Sequence, residues 1–298
     1  MLKVKNEIHG MLVDKIFIAF TWGSLSLFLL VLLYPLLFIA SASFSGGAVT
    51  MSMSLIPKTF SLAGYEAVFS YSAIWRSYLN SIIYTAVGTA ISLVATICCA
   101  YPLSRPHFRF SGVMMVLCVI TMYFSGGMIP SYLNLRNLGL LDTMWALVIP
   151  GSLSVYNMII MRTFFKTQIP GELQEASQLD GCGDFRYLMM IVLPLSVPVI
   201  AVIALYCAVN YWNAYFSPMI YLETHDKYPL SMILREILVI NTIDLSGNID
   251  VDQMVTLQKR KETMKYAVIL VSSLPVLMIY PFVQRYFVKG VMIGAVKG

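Results

Sequence analysis

Pro170–Pro194, PGELQEASQLDGCGDFRYLMMIVLP, is the stretch whose reading decides how this chain is built. It is the one long hydrophilic segment with a strong local pattern in an otherwise apolar sequence. Glu172–Leu179 reads as a short helix. Pro170 stands just ahead of it, and Glu172 falls in the first turn, where the helix dipole favours an anion. Asp180-Gly181 is a stop-and-turn signal, and Gly183 is a second breaker. From Asp184 a second helix is predicted through Arg186 and Tyr187 into an apolar run, with Pro194 close behind. The segment is therefore a helix, a tight turn and a second helix.

Its surroundings are those of a membrane protein. The 298 residues are 58% hydrophobic and only 12% charged, with a mean hydropathy of +0.76. Soluble domains carry about 25% charged residues. Asp, Glu, Lys and Arg are missing between Lys15 and Lys58, Arg76 and Arg105, Arg109 and Arg136, Asp142 and Arg162, Arg186 and Glu223, and Lys265 and Arg285. A membrane-crossing helix needs roughly 20 apolar residues, and a central charge costs about 2.5–3.5 kcal/mol on insertion scales. Each gap holds one such helix. The predicted fold is all-α with six transmembrane helices, at 16–42, 77–103, 110–130, 143–163, 195–218 and 266–284. The helix-turn-helix lies between spans four and five.

Lys and Arg orient the bundle. With the N-terminus inside, the inner segments hold Lys3, Lys5, Lys15, Arg105, Arg109, Arg162, Lys166, Arg186, Arg285, Lys289 and Lys297. The short outer loops hold only Lys58, Arg76 and Arg136. Both termini and Pro170–Pro194 are thus expected in the cytoplasm. Residues 1–15 form a cytoplasmic lead, and 16–298 a single transmembrane domain. Within it, 166–194 is the cytoplasmic loop, 219–265 an extracytoplasmic loop and 285–298 a cytoplasmic tail. The net charge of +5 reads as topology; no basic run with interleaved aromatics points to nucleic acid.

Four further features shape the expectation. Ala40-Ser-Ala42 resembles a signal-peptidase site, but its apolar stretch is longer than a signal peptide's, so an uncleaved span is expected. Leu62, Tyr65, Val68 and Phe69 have helical spacing, either as an interfacial helix or as a plain loop. Ser125-Gly-Gly-Met-Ile-Pro130 either lets irregular backbone line a cavity or ends a closely packed helix. Leu230, Ile233, Leu234, Ile237 and Leu238 form one apolar stripe on a helix that lies on the membrane or caps the bundle.

The polar run Asn210-Tyr-Trp-Asn213-Ala-Tyr215 supplies the candidate substrate path. Amides inside a span need partners or water. Asn210, Tyr211, Trp212, Asn213 and Tyr215 have the chemistry that grips sugars, rings on the apolar sugar face and amides on hydroxyls. An interfacial aromatic belt with helix–helix hydrogen bonds is the competing reading.

Catalysis is not signalled. His9, His107 and His225 are far apart and no H-E-x-x-H occurs. Cys98, Cys99, Cys118, Cys182 and Cys207 form no CxxC, so neither a zinc site nor a disulfide framework is expected. No P-loop is present, so ATP is not held by this chain in that way. The helix-turn-helix then reads as a docking element. Glu175 and Gln178 are expected to face outward, with Leu173, Ala176 and Leu179 packed inward, and Ala176, Ser177 and Gly181 allow close approach of another surface. A secondary transporter would need ionisable residues inside its spans, and a scaffold would not need the Asp-Gly turn.

Glu175-Ala-Ser-x-x-Asp-Gly181-Cys…Ile191-x-Leu-Pro194 resembles the EAA loop of ABC importer permeases. The Asp-Gly version, with the Ile-x-Leu-Pro ending, is similar to the carbohydrate-import, maltose-type subfamily. Met161-Arg-Thr-Phe-Phe, Ile169-Pro, Asn210-Tyr-Trp-Asn213 and the Lys-Gly tail fit it too. The likeness covers the chain from about Ser81 onward. Ser177 and Cys182 depart from the family's Ala, but both stay small.

The resemblance implies a permease subunit that is not an enzyme. It implies half of a pore shared with a second, homologous permease, and two ATPase subunits that bind ATP and Mg. It also implies an extracytoplasmic solute-binding protein that delivers the sugar. Glu172, Glu175, Ala176, Ser177, Asp180, Gly181, Leu193 and Pro194 are then the ATPase-coupling residues. A loop within Glu223–Lys265 would reach the binding protein, and Gly290–Gly298 would touch the ATPases. Within the subfamily the sequence looks most like permeases for complex oligosaccharides, acidic ones among them; an ABC permease for another small solute is the alternative.

Overall fold

A computed structural model describes residues 2–45, 60–239, 264–279, 281 and 284. The C-terminal tail 285–298 and the polar stretch Asp244–Asp252 lie outside the described residues. The helices are α1 (Leu2–Ser43), α2 (Ala63–Ser70), α3 (Ser72–Ser104), α4 (Ser111–Tyr123), α5 (Met128–Asn137), α6 (Met144–Val148), α7 (Val155–Thr167) and α8 (Gly171–Leu179). They continue as α9 (Asp184–Leu195), α10 (Val197–Asn213), α11 (Phe216–Tyr221), α12 (Leu230–Val239) and α13 (Met264–Ile279). An isolated bridge pairs Ser45 with Phe60.

The chain divides into two compact units, Met1–Ser70 with Asn241–Val271, and Tyr71–Ile240 with Ser272–Gly298. In the first, α1 runs unbroken through the lead and through Ala40–Ala42, and its apolar side chains from Val13 to Leu37 are mostly exposed. Such a surface is stable only in hydrocarbon. Beyond its end, Phe44 stacks on Phe60 at 5.5 Å and meets Tyr65 at 5.2 Å. Ser43 shares a 2.8 Å hydrogen bond with the Tyr65 hydroxyl. The helical spacing around Tyr65 and Val68 is realised as α2.

The second unit is organised on α3. Ser77, Ser81, Tyr84, Gly88, Ser92, Thr96 and Ala100 are its buried stripe. Small residues at four-residue spacing let neighbouring backbones approach closely, which is how membrane helices gain packing without a hydrophobic driving force. The stripe packs against α10 and α7. Below it, Ala100, Met158, Met161, Phe165, Tyr187, Val192 and Ile203 form the centre of the apolar core.

Helices fall within all six charge-free gaps, yet three of the six are not single straight helices. Residues 13–43 of α1, and α3, are long and apolar enough to cross a membrane; with each bent pair counted as one span the number rises to four. The pair α4 and α5 turns by 108°, at Gly127, whose φ of +88° suits only glycine comfortably. Among the described residues nothing lies within 4 Å of a Cβ placed at Gly126, and within this chain the Gly-Gly forms a turn. The gap after Asp142 splits into α6 and α7 at Pro150-Gly151, and Ser154 caps α7 through the Asn157 N–H. The pair α9 and α10 bends by 82°. A π-helical turn at Leu188–Val192 precedes Pro194; the Leu193 N–H reaches back to the Leu188 carbonyl, and the wider turn relieves the clash a proline ring makes with the preceding turn.

The segment before α12 is held both by Asp142 and by one end of α3. Asp142 sits at φ +54°, a region that Asp tolerates better than most residues. Its Oδ1 accepts the Glu223 and Thr224 N–H groups at 3.0 Å each. Its Oδ2 accepts the Thr224 hydroxyl and the Lys227 ammonium, both at 2.6 Å. The Tyr84 hydroxyl and the Asn80 amide then donate to the Lys227 and Asp226 carbonyls, and Ser81 Oγ accepts from Leu230 N–H. The hydrogen bond from Lys227, then that from Thr224, holds the Asp142 carboxyl well below the usual carboxylate range. A depressed carboxylate stabilises fully above its unfolded value of about 3.9 and loses that contribution as pH falls toward the native value. Amide-exchange protection of residues 221–228 should therefore be flat from pH 8 to 5 and fall only below about pH 4. Asp142→Asn should expose the same amides at every pH; protection unchanged in that variant would show the clamp to be incidental.

Candidate functional site

The short helix α8 is closed by a turn that the sequence specifies. Gly181 adopts φ +70°. Its N–H donates to the Gln178 carbonyl at 3.0 Å, and the Cys182 N–H donates to Ser177 at 2.9 Å. These are the two bonds of a Schellman cap. Asp180 is the last residue before the turn, and its N–H bonds to Ala176.

Glu175 and Gln178 face outward as expected, but the inward face of α8 is not the expected one. Gln174 and Ser177 are buried, whereas Leu173 and Ala176 are exposed and Leu179 is 90% exposed. Glu172, Glu175 and Gln178 share the exposed surface. The inner wall is not hydrocarbon, which explains the difference. It is the Arg105 guanidinium, which donates to Gln174 Oε1 at 3.0 Å. Arg105 lies over the Tyr101 ring at 4.7 Å and near the Tyr187 ring at 5.4 Å, a doubled cation–π arrangement. The Tyr101 hydroxyl donates to the Asp184 carbonyl at 3.1 Å, anchoring the start of α9. Arg162 Nε caps the Leu103 carbonyl at 2.9 Å. A polar side chain on the inner face thus meets a charged partner, and the leucines are left on the outside. Phe185 adds to the exposed apolar surface, at 72%.

Leu193 and Pro194 are not beside α8. They stand at the far end of α9, where Leu193 packs against the core. Their part is to shape the bend into α10. The residues that the sequence reading missed are Tyr101, Arg105, Gln174 and Tyr187. Arg105 carried a signal only as one of the basic residues in Ser104–Arg109, a turn that sets orientation.

The Asn210–Tyr215 run is divided among different surroundings, because successive residues on a helix point about 100° apart. Asn210 and Tyr211 line a cavity of about 370 Å³ with Ser154, Tyr156, Asn157 and Tyr206. Trp212, Asn213 and Tyr215 line a second cavity of about 580 Å³ between the end of α10, α12 and the latter part of α13. Tyr211 is held in the packing: its hydroxyl bonds to Ser92 Oγ at 3.1 Å and to the Val148 carbonyl at 3.3 Å. Asn213 spends one N–H on the Val209 carbonyl of its own helix. Trp212 meets Tyr78 edge-on at 5.7 Å. Tyr211 is therefore held in the packing, while Asn210 and Trp212 each line a cavity.

Gly88 makes the Tyr211 position possible. A Cβ there would lie 2.8 Å from the ring. Gly88→Ala is expected to destabilise the protein by about 1–3 kcal/mol, lowering the thermal midpoint of the purified protein. Tyr211→Leu in the same chain should recover most of that loss. An unchanged midpoint for Gly88→Ala would rule out the close approach.

No family model matches the sequence. The polygalacturonan/rhamnogalacturonan transport system permease protein YtcP of Bacillus subtilis is 41% identical over 298 residues, covering 99% of this chain and 100% of that protein. Protein LplC of Bacillus subtilis is 40% identical over 266 residues, 89% of each chain. Among solved structures, a chain from a bacterial ABC transporter involved in the import of the acidic polysaccharide alginate aligns with a TM-score of 0.82 and 36% identity, covering 92% of this chain and 97% of that one. A relative of this identity, matched end to end, together with the EAA pattern on a Schellman-capped helix, establishes what the chain is: it belongs to the carbohydrate-import family of ABC transporter permeases, and is a membrane transport subunit, not an enzyme.

Proposed function

We propose that this chain forms half of the translocation pore of an ATP-driven importer whose cargo is an acidic oligosaccharide of the galacturonate type. The observation that carries the coupling role is α8. It is a rigid, capped helix that keeps Glu175, Ala176 and Leu179 on its outer face while Arg105 holds its inner face to α3. An exposed leucine and phenylalanine beside acidic side chains suit a partner surface. That partner is an ABC ATPase, which supplies ATP, Mg and hydrolysis. In the assembly proposed, a second homologous permease completes the pore, two ATPases serve it, and an extracytoplasmic solute-binding protein delivers the sugar. The six apolar stretches are six spans in the plasma membrane of a prokaryote, surrounded by lipid. Both termini and the α8 end face the cytoplasm, and the Asp142 and α12 end faces outward. Asn210 and Trp212 lie on the sugar path. The acidic cargo is supported by two relatives, one that transports polygalacturonan or rhamnogalacturonan and one that imports alginate.

Reconstitution of the complete transporter in proteoliposomes tests this. Trigalacturonate should be taken up only with loaded binding protein outside and hydrolysable ATP on the ATPase side, and ahead of neutral trisaccharides. Uptake driven by an ion gradient without ATP would overturn the importer reading. Preference for a neutral sugar would overturn the cargo.

A further inference from the structure

From the geometry we infer that Arg235 is the residue of this subunit that recognises the carboxylate of an acidic sugar, in the cavity it shares with Trp212 and Tyr215. This rests on the acidic-cargo reading above and assigns that reading a residue. The cavity measures about 580 Å³, within the usual 300–1,000 Å³ of small-molecule sites. Trp212 and Tyr215 contribute aromatic rings to its lining, Asn213 and Ser231 polar side chains, and Arg235 the one cation. Ser231 donates its hydroxyl to the Ala214 carbonyl at 2.6 Å, which fixes α12 against the end of α10 and so sets Arg235 near the aromatic pair.

The charges around it single Arg235 out. Asp142 is taken by Lys227, Asp226 by Arg76 at 3.0 Å, and Glu236 by His225 at 3.2 Å. Among the described residues Arg235 has no carboxylate partner. Its Nη1 rests on the Met219 sulfur, a weak acceptor that a carboxylate readily displaces. Lys227 and Arg76 are thus matched with acids and Glu236 is engaged by the His225 ring, whereas among the described residues the guanidinium in the aromatic cavity meets no carboxylate and can turn its fork to an anion from outside. A planar guanidinium binds a carboxylate through two parallel N–H···O bonds, a geometry Lys cannot reproduce.

The test uses the complete transporter in proteoliposomes with saturating binding protein, and compares trigalacturonate with its trimethyl ester, which has the same sugars without the charge. R235Q should lower trigalacturonate uptake about tenfold or more, the scale of a lost charge-assisted pair. Ester uptake should stay within about twofold of wild type, since the ester offers no carboxylate to that pair, and R235K should recover only part of the loss. Equal loss for both sugars would make Arg235 a packing residue. No loss for either would remove it from recognition while leaving the acidic-cargo reading intact. A defect present in vesicles with phosphatidylglycerol and absent in pure phosphatidylcholine would reassign Arg235 to a lipid headgroup. Wild-type transporter that ignores trigalacturonate yet imports a neutral oligosaccharide would overturn the cargo reading, and the inference with it.

Discussion

Gly181→Pro is expected to abolish substrate-stimulated ATP hydrolysis by the assembled transporter while leaving the chain in the membrane. Three consequences act together. Proline fixes φ near −65°, and the native value is +70°. The N–H that bonds to Gln178 disappears. The residue ahead of a proline is pushed out of the helical region, and Asp180 now sits there with φ −78° and ψ 6°. The last turn of α8 cannot form, at a cost of roughly 3 kcal/mol or more, and Leu179 and Glu175 lose their fixed direction. The apolar core and the α3 packing lie elsewhere, so insertion and the yield of purified complex should hold. Gly181→Asn is the control, because Asn tolerates the left-handed region; it should keep most of the stimulation. Normal coupling in the proline variant would sink the docking role of α8.

Arg105→Ala should uncouple the same helix from the inside. It removes a charged hydrogen bond to Gln174 and the cation from above Tyr101 and near Tyr187. Such a bond is worth about 1.5–3 kcal/mol and each cation–π contact about 0.5–2 kcal/mol. Among the described residues Arg105 Nε and Nη2 are buried with no hydrogen-bond partner, and their desolvation offsets part of that sum. A net loss of about 2 kcal/mol is expected, enough to loosen α8 locally without unfolding the unit. Amide exchange over residues 172–180 should quicken, and stimulated hydrolysis should fall about tenfold, the rate equivalent of some 1.4 kcal/mol. Arg105→Lys should behave more like Ala than like Arg, since a point charge cannot both stack on the rings and reach Gln174. Unchanged exchange in α8 would show that Gln174 is held by something other than Arg105.

The helix α8 and its turn were legible because their signals are local. Pro170, Glu172, Asp180 and Gly181 act within one turn of their own positions, so a cap can be read without knowing what surrounds it. The α12 stripe was legible for a similar reason, and Leu230, Ile233 and Ile237 are buried along it. The outward Glu175 and Gln178 were legible too, but that Gln174 and Ser177 rather than the leucines face inward was not. A hydrophobic pattern assumes an apolar interior, whereas the interior here is the Arg105 guanidinium. The bends at Gly127 and Ser196 were only half legible: the breakers are visible in sequence, but a breaker does not state whether the chain stops, turns by 108° or bends by 82°.

By itself, the sequence determined a lipid-embedded helical chain, through its missing charges, and a short helix with a left-handed stop, through Gly181. It determined these because lipid excludes charge all along a span and because a positive φ is a property of one residue. Only the tertiary structure decided what holds that helix, since Arg105 and Gln174 are 69 residues apart. It also decided that Tyr211 is packing against Gly88 while Trp212, one residue on, opens to a cavity with Arg235. Those assignments depend on which helix faces stand opposite each other, and residues distant in the chain share no local pattern that records it.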